Sequence, residues 1–220
     1  IPMSSPDENE TRIVGSVRLT RQGAGAGRIE LHVRGVEAAT MRRAFQAAEH
    51  RRERAAAMLG ELFGSVDVRS VDAGDIDDIR RPVTLDVEVR LPALATAEGS
   101  SLRLPVLGHR LALTRVWAPK GARRHPLEVG VPTTIVRRME FVAPPGYRFA
   151  EVPEGGRIVH EAVASTLEVR TEDGGTRAVV ESRIRFLRDR IPPETFGSFR
   201  ATLQRVDALH GQSFVLERKR

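Results

Sequence analysis

Cysteine is absent from the 220 residues, which removes disulfides, thiolate metal sites, iron–sulfur clusters and any thiol nucleophile from this chain. The redox compartment therefore stays open. Aromatic residues are scarce, at eight Phe, one Tyr and one Trp. That is too few to suggest a ring-lined carbohydrate cleft, or the basic surface interleaved with stacking rings that single-strand and RNA binders use. Lysine is nearly missing as well: of the 35 basic residues all but Lys120 and Lys219 are arginine. No uninterrupted apolar run approaches the roughly 18 residues of a membrane-crossing helix.

A formal charge of +6, with 40% hydrophobic and 29% charged residues, describes a globular chain long enough to bury a core. The basic excess is interspersed with 29 acidic residues, the pattern of a solvated basic surface rather than of a nucleic-acid footprint. The sequence starts at Ile1 with no charged-then-apolar leader. It reads as a segment of a longer protein, with any targeting signal expected upstream.

Residues 1–10 are polar and proline-bearing and read as a flexible lead-in. Ile13, Val17 and Leu19, then Ile29, Leu31 and Val33, alternate with polar residues around a Gly-rich turn, a hairpin signal. The turn, Gly23 to Gly27, lacks dinucleotide-fingerprint spacing and precedes a strand instead of a helix. From Glu37 to Phe63 the apolar residues Met41, Phe45, Ala48, Ala55, Leu59 and Leu62 recur at helical steps. One long helix or two consecutive ones follow, with a break between Ala47 and His50 favoured because Arg52 interrupts the stripe. Val66 to Val71 and Val83 to Leu91 alternate again.

The first unit, residues 11–95, thus reads β-β-α-β-β. Residues 96–220 form a β-rich unit whose runs include Leu102 to Val106, Leu111 and Leu113, Ile135 to Phe141, Val163 to Val169 and Ala178 to Phe186. An amphipathic helix from Phe196 to Leu209 and a last strand near Phe214 complete it. The expected fold class is α+β: a four-stranded antiparallel sheet packed on a helix, followed by a β-sandwich-like unit with a C-terminal helix.

The search for chemistry is largely negative. Six histidines, at 32, 50, 109, 125, 160 and 210, have no ligand partner at helical spacing. His160-Glu161 opens like a zincin motif, but Ala164 stands where the second histidine belongs. The acidic run Asp72, Asp75, Asp77, Asp78 lacks the order and terminal glutamate of a calcium loop. Gly211 to Val215 starts like a nucleophile elbow yet ends in valine and follows a helix. No catalytic residue, cofactor or metal is assigned. The candidate interaction surface consists of Arg42, Arg43, Arg51 and Arg54 on the wet helix face and Arg183 and Arg185 on the outward side of their strand.

Several phrases resemble the C-terminal region of bacterial transglutaminase-like proteins, in which an N-terminal β-sandwich of unknown function precedes a papain-like core. They are Ala39-Thr40-Met41-Arg42, Arg51-Arg52-Glu53-Arg54, Asp77 to Pro82, Pro145-Gly146-Tyr147, and Pro193-Glu194-Thr195-Phe196 with Phe199-Arg200. The likeness spans most of residues 11–217. It implies that the family's Cys, His and Asp set lies elsewhere, since no cysteine is present, and it implies export to the cell envelope.

The reading that results is a non-catalytic accessory region, docking on or orienting substrate for a transglutaminase-like or peptidase-like core. Its partners would be that core and the N-terminal domain of the same polypeptide, together with an envelope protein or polymer. A binding module for an acidic envelope polymer or nucleic acid is the alternative, and a hydrolase built from paired carboxylates is the third reading.

Overall fold

The computed structural model describes residues 5–219. Strands β1 Glu10–Leu19, β2 Gly25–Val33, β3 Asp67–Asp72 and β4 Val83–Leu91 surround helices α1 Val36–Phe45 and α2 Arg51–Phe63. Strands β5 Thr96–Glu98 and β6 Ser101–Pro105, helix α3 Leu113–Trp117, then β7 Leu127–Glu128, β8 Thr133–Val142, β9 Tyr147–Glu151 and β10 Gly156–Val159 follow. Strands β11 Val163–Glu172, β12 Arg177–Phe186 and β13 Arg190–Ile191, helix α4 Pro193–His210 and β14 Ser213–Arg218 complete the chain.

One eight-stranded sheet, ordered β10-β11-β12-β8-β1-β2-β4-β3, forms the backbone of the molecule. A four-stranded sheet, β5-β6-β14-β9, and a two-stranded β13-β7 ribbon accompany it. This overturns the expected four-stranded sheet on a helix followed by a sandwich-like unit: the molecule is mostly β, 42% strand and 24% helix, with an eight-stranded mixed sheet. The physical reason is a single pairing. Strand β1 pairs antiparallel with β2 on one side and parallel with β8 on the other, Ile13 facing Arg137 and Val17 facing Phe141. Alternation in β1 announces a buried face, but it is silent about which sequence-distant strand completes the ladder.

The helices and the smaller sheet share one face of the large sheet. Ile13, Ile29, Val87, Phe141 and Val180 pack in one cluster with Phe45, Leu59 and Phe63 from the helices and Leu104 and Phe214 from the smaller sheet. A second cluster joins Val163, Ile184 and Phe186 to Phe196, Phe199, Leu203 and Val206 of α4. Successive strand residues point to opposite faces, so the other face of the sheet carries the polar half of each alternating run.

Local chemistry explains the breaks. Helix α1 stops before Ala47 and a single 3-10 turn, Ala48–His50, leads into α2, as the sequence suggests. The Arg51 Nε donates to the Phe45 carbonyl at 2.7 Å, satisfying the end of α1. Gly27 lies inside β2 rather than in the turn, paired with Val17 of β1, and glycine is required there because a Cβ would sit 1.9 Å from the Ser16 carbonyl oxygen. Leu111 and Leu113, expected in a strand, instead lead into α3. The Asp207 carboxylate of α4 accepts the amide hydrogens of Leu113 and Thr114 at 2.8 and 2.9 Å, which caps that short helix from outside.

Of the expected lead-in, residues 1–4 lie outside the described residues. Asn9 is buried, and Asp7 meets Arg183 and Arg185.

Candidate functional site

Two polar assemblies stand out, one inside the fold and one on the open sheet face. The inner one begins with Arg137. Alternation along β8 sends Ile135, Arg137, Met139 and Phe141 to the packed face, so the guanidinium enters the core between Ile13 of β1 and Ser182 of β12. It is 7% exposed, and its Nε and Nη1 have no hydrogen-bond partner among the described residues. His210, the last residue of α4, is fully buried. Its Nε2 lies 2.9 Å from Ser165 Oγ of β11 and its Nδ1 3.4 Å from Ser182 Oγ. His109, in the loop after β6, stands edge-on to Phe63 at 5.5 Å between ring centroids, with Nδ1 3.3 Å from the Arg110 carbonyl oxygen.

Burial sets the charge states here. Desolvation, then the nearby Arg137 charge, holds His109 down to about 4. His210 is also held down to about 4, first by desolvation and then by Arg137, with Asp207 opposing and His109 adding. Desolvation lowers Arg137 to about 10, which still leaves it charged at neutral pH. A serine hydroxyl 2.9 Å from an imidazole has the geometry of an activated nucleophile. An imidazole titrating near 4 is nevertheless a weak base at neutral pH, and both groups are sealed from solvent. The bonds from Ser165 and Ser182 act instead as ties holding the end of α4 to β11 and β12.

The outer assembly is exposed. Register places Arg183 of β12, Val136 of β8, Arg12 of β1, His32 of β2 and Thr84 of β4 in one cross-strand row. Arg185, Thr134 and Glu10 form the next row. A cleft of about 430 Å³ opens between Arg12, His32, Arg34 and Arg81, with Glu10 and Asp75 as its acidic lining. In it the Glu10 carboxylate meets Arg12 at 3.1 Å and Arg34 at 3.6 Å. Beside it the Asp7 carboxylate meets Arg185 at 3.1 Å and Arg183 at 3.7 Å and accepts the Thr134 hydroxyl at 3.1 Å. Farther along the same face Arg28 pairs with Asp86, and Arg138 with Glu181 at 3.2 Å.

The six arginines singled out from the sequence do not converge. Arg42 donates to the carbonyls of Asp78 and Arg81, and Arg51 to that of Phe45, so two are ties within the fold. Arg43 and Arg54 are exposed on the helices, which pack on the inner face, whereas Arg183 and Arg185 lie on the outer face with Asp7. Arg137, Ser165 and Ser182 escaped notice, and His109 and His210 were noted only as histidines without a ligand partner at helical spacing, because the sequence separations within the assembly are long. The available signal was parity: Arg137 between Ile135 and Met139, and Ser182 between Val180 and Ile184, occupy inward positions of otherwise apolar strand faces.

Residues 105–216, half of the chain, match the model of a domain of unknown function with a solved structure, DUF3858. The chain belongs to the DUF3858 family. All five residues of the inner polar assembly fall within the DUF3858 region, whereas the outer cleft draws Arg12, Arg34 and Arg81 from residues before it. No curated protein matches the chain, and no solved structure does. Among the described residues no helix is long and apolar enough to cross a membrane.

Proposed function

We propose that the chain is a non-catalytic accessory region of a larger transglutaminase-like or peptidase-like protein. It docks on, or orients substrate for, a catalytic core elsewhere in the same polypeptide, in the cell envelope. The observation that carries this reading is the open face of the eight-stranded sheet. There Arg and Asp or Glu side chains alternate across strands on a rigid frame, while the Ser165 and Ser182 contacts to His210 are closed off beneath α4 and His160, 3.3 Å from Ser198 Oγ, lies on the surface. Rigid elements hold a polar docking face in fixed geometry. The transglutaminase-like and envelope parts of the proposal rest on the sequence phrases alone.

The test uses the purified chain and the neighbouring segments of its own polypeptide as a separate chain. Sedimentation should register a complex between the two, and the chain alone should turn over neither an acyl-transfer nor a peptidase substrate. Turnover by the chain alone, or failure to associate, overturns the reading. A second reading, an acidic partner held through arginine, is favoured by one observation: four guanidiniums of the outer face share two carboxylates.

A further inference from the structure

We propose that the outer-face row Arg183, Arg12 and His32, with Arg185, Arg34 and Arg81 beside it, is a binding site for a short acidic peptide segment. This deepens the docking reading and rests on it. Glu10 is shared by Arg12 and Arg34, and Asp7 by Arg183 and Arg185. Each trio of two guanidiniums and one carboxylate keeps one net positive charge. Cross-strand register sets the trios side by side, Glu10 and Arg185 both flanking Thr134. Arg81, which meets Asp78 at 3.5 Å, borders the cleft from the loop before β4.

The guanidiniums keep free donors. Side-chain exposure is 40% for Arg12, 49% for Arg34, 45% for Arg183 and 36% for Arg185. A guanidinium has five N–H donors in a planar fork that matches a carboxylate, and one shared acceptor satisfies only part of that fork. The two trios are therefore built and each is only half neutralised, and the complement each lacks is a carboxylate.

Dimensions and surroundings select the partner. The row crosses five strands, and four spacings of about 4.8 Å span roughly 19 Å, the length of about six extended residues. A nucleic acid is disfavoured on the same face. Glu30, 3.7 Å from His32, and beyond it Asp86, Glu88, Glu140 and Glu181 continue the surface, where a phosphodiester backbone longer than the site would meet like charge. The row carries no Phe, Tyr or Trp side chain for base stacking, only the His32 imidazole. A segment of alternating or clustered glutamates confined to the basic end avoids both penalties.

Fluorescence anisotropy with the full chain and a labelled hexaglutamate peptide tests the site, with a labelled six-nucleotide single-stranded DNA as comparison. The peptide should bind at low ionic strength and weaken as salt is raised. The Arg12→Gln/Arg183→Gln double variant should bind about tenfold or more weakly, as expected from removing two charge-assisted contacts. Arg43→Gln/Arg54→Gln, on the opposite face, should change affinity less than about twofold. Asp7→Asn should tighten binding, a gain that a misfolded variant does not produce. Absent peptide binding, equal loss in both double variants, no gain in Asp7→Asn, or tighter binding of the DNA overturns the assignment. If hexaglutamate fails while the neighbouring segments of the polypeptide still associate, the acidic-peptide site falls and the docking reading stands.

Discussion

The side-chain oxygen of Asn9 accepts the amide hydrogen of Val36 at 3.1 Å, so the first turn of α1 is capped by a residue that precedes β1. The Asn9 Nδ2 meanwhile donates to the Pro132 carbonyl at 3.1 Å. One buried amide thus ties together the start of a helix, the entry to β1 and the entry to β8. Gly35, the residue that occupies the cap position, has a φ of 79° and supplies no side chain.

Asn9→Ala should therefore cost about 1–3 kcal/mol, because it strands a buried acceptor as well as a helix-end donor. Urea unfolding followed by circular dichroism measures this. A variant within about 0.5 kcal/mol of the parent, the range of ordinary surface changes, would show that the tie is not structural.

Acid should weaken the fold before the carboxylates titrate. His109 and His210 are both held from 6.5 down to about 4 in the folded protein, so the unfolded chain binds more protons between those values. Their stabilising contribution is complete above about pH 6.5 and is lost as pH falls toward 4, approaching roughly 3 kcal/mol per imidazole. Urea midpoints at pH 7, 5.5 and 4.5 should fall in that order, and a flat profile would contradict the buried neutral imidazoles.

Arg137→Met tests the charge at the centre of the same assembly. A buried guanidinium without a carboxylate partner keeps a desolvation cost that an apolar side chain of similar length avoids. Stability at pH 7 should be unchanged or rise by about 1–4 kcal/mol, and the acid-induced loss should shrink as the push on both histidines is removed. A loss exceeding about 2 kcal/mol would mean that the guanidinium is a net stabiliser.

Residue patterns made the local elements legible. The alternation of Val83 to Leu91 gave β4, and the interruption at Arg52 pointed to the break between α1 and α2. What stayed hidden were the long-range pairings. Nothing near Val14 announces Arg138 as its parallel neighbour. Helix α3 was concealed because its cap, Asp207, lies on α4. The outer site was half visible: Arg183 and Arg185 lie on the outward side of β12, as their alternation indicates, but Arg12 and Arg34 join them only through β8. The inner assembly hid behind residue chemistry, since an arginine among Ile135, Met139 and Phe141 is read by type as surface although its position faces inward.

The β1–β8 pairing bears on how the molecule can be cut. A fragment trimmed to residues 105–216 would remove β1 from beside β8 and nearly all of β6 from beside β14. Two rows of backbone amides and carbonyls would be bared at once, inviting edge-to-edge association between copies. The matched stretch is thus narrower than the hydrogen-bonded sheets it belongs to, and strands from the preceding hundred residues cover its edges.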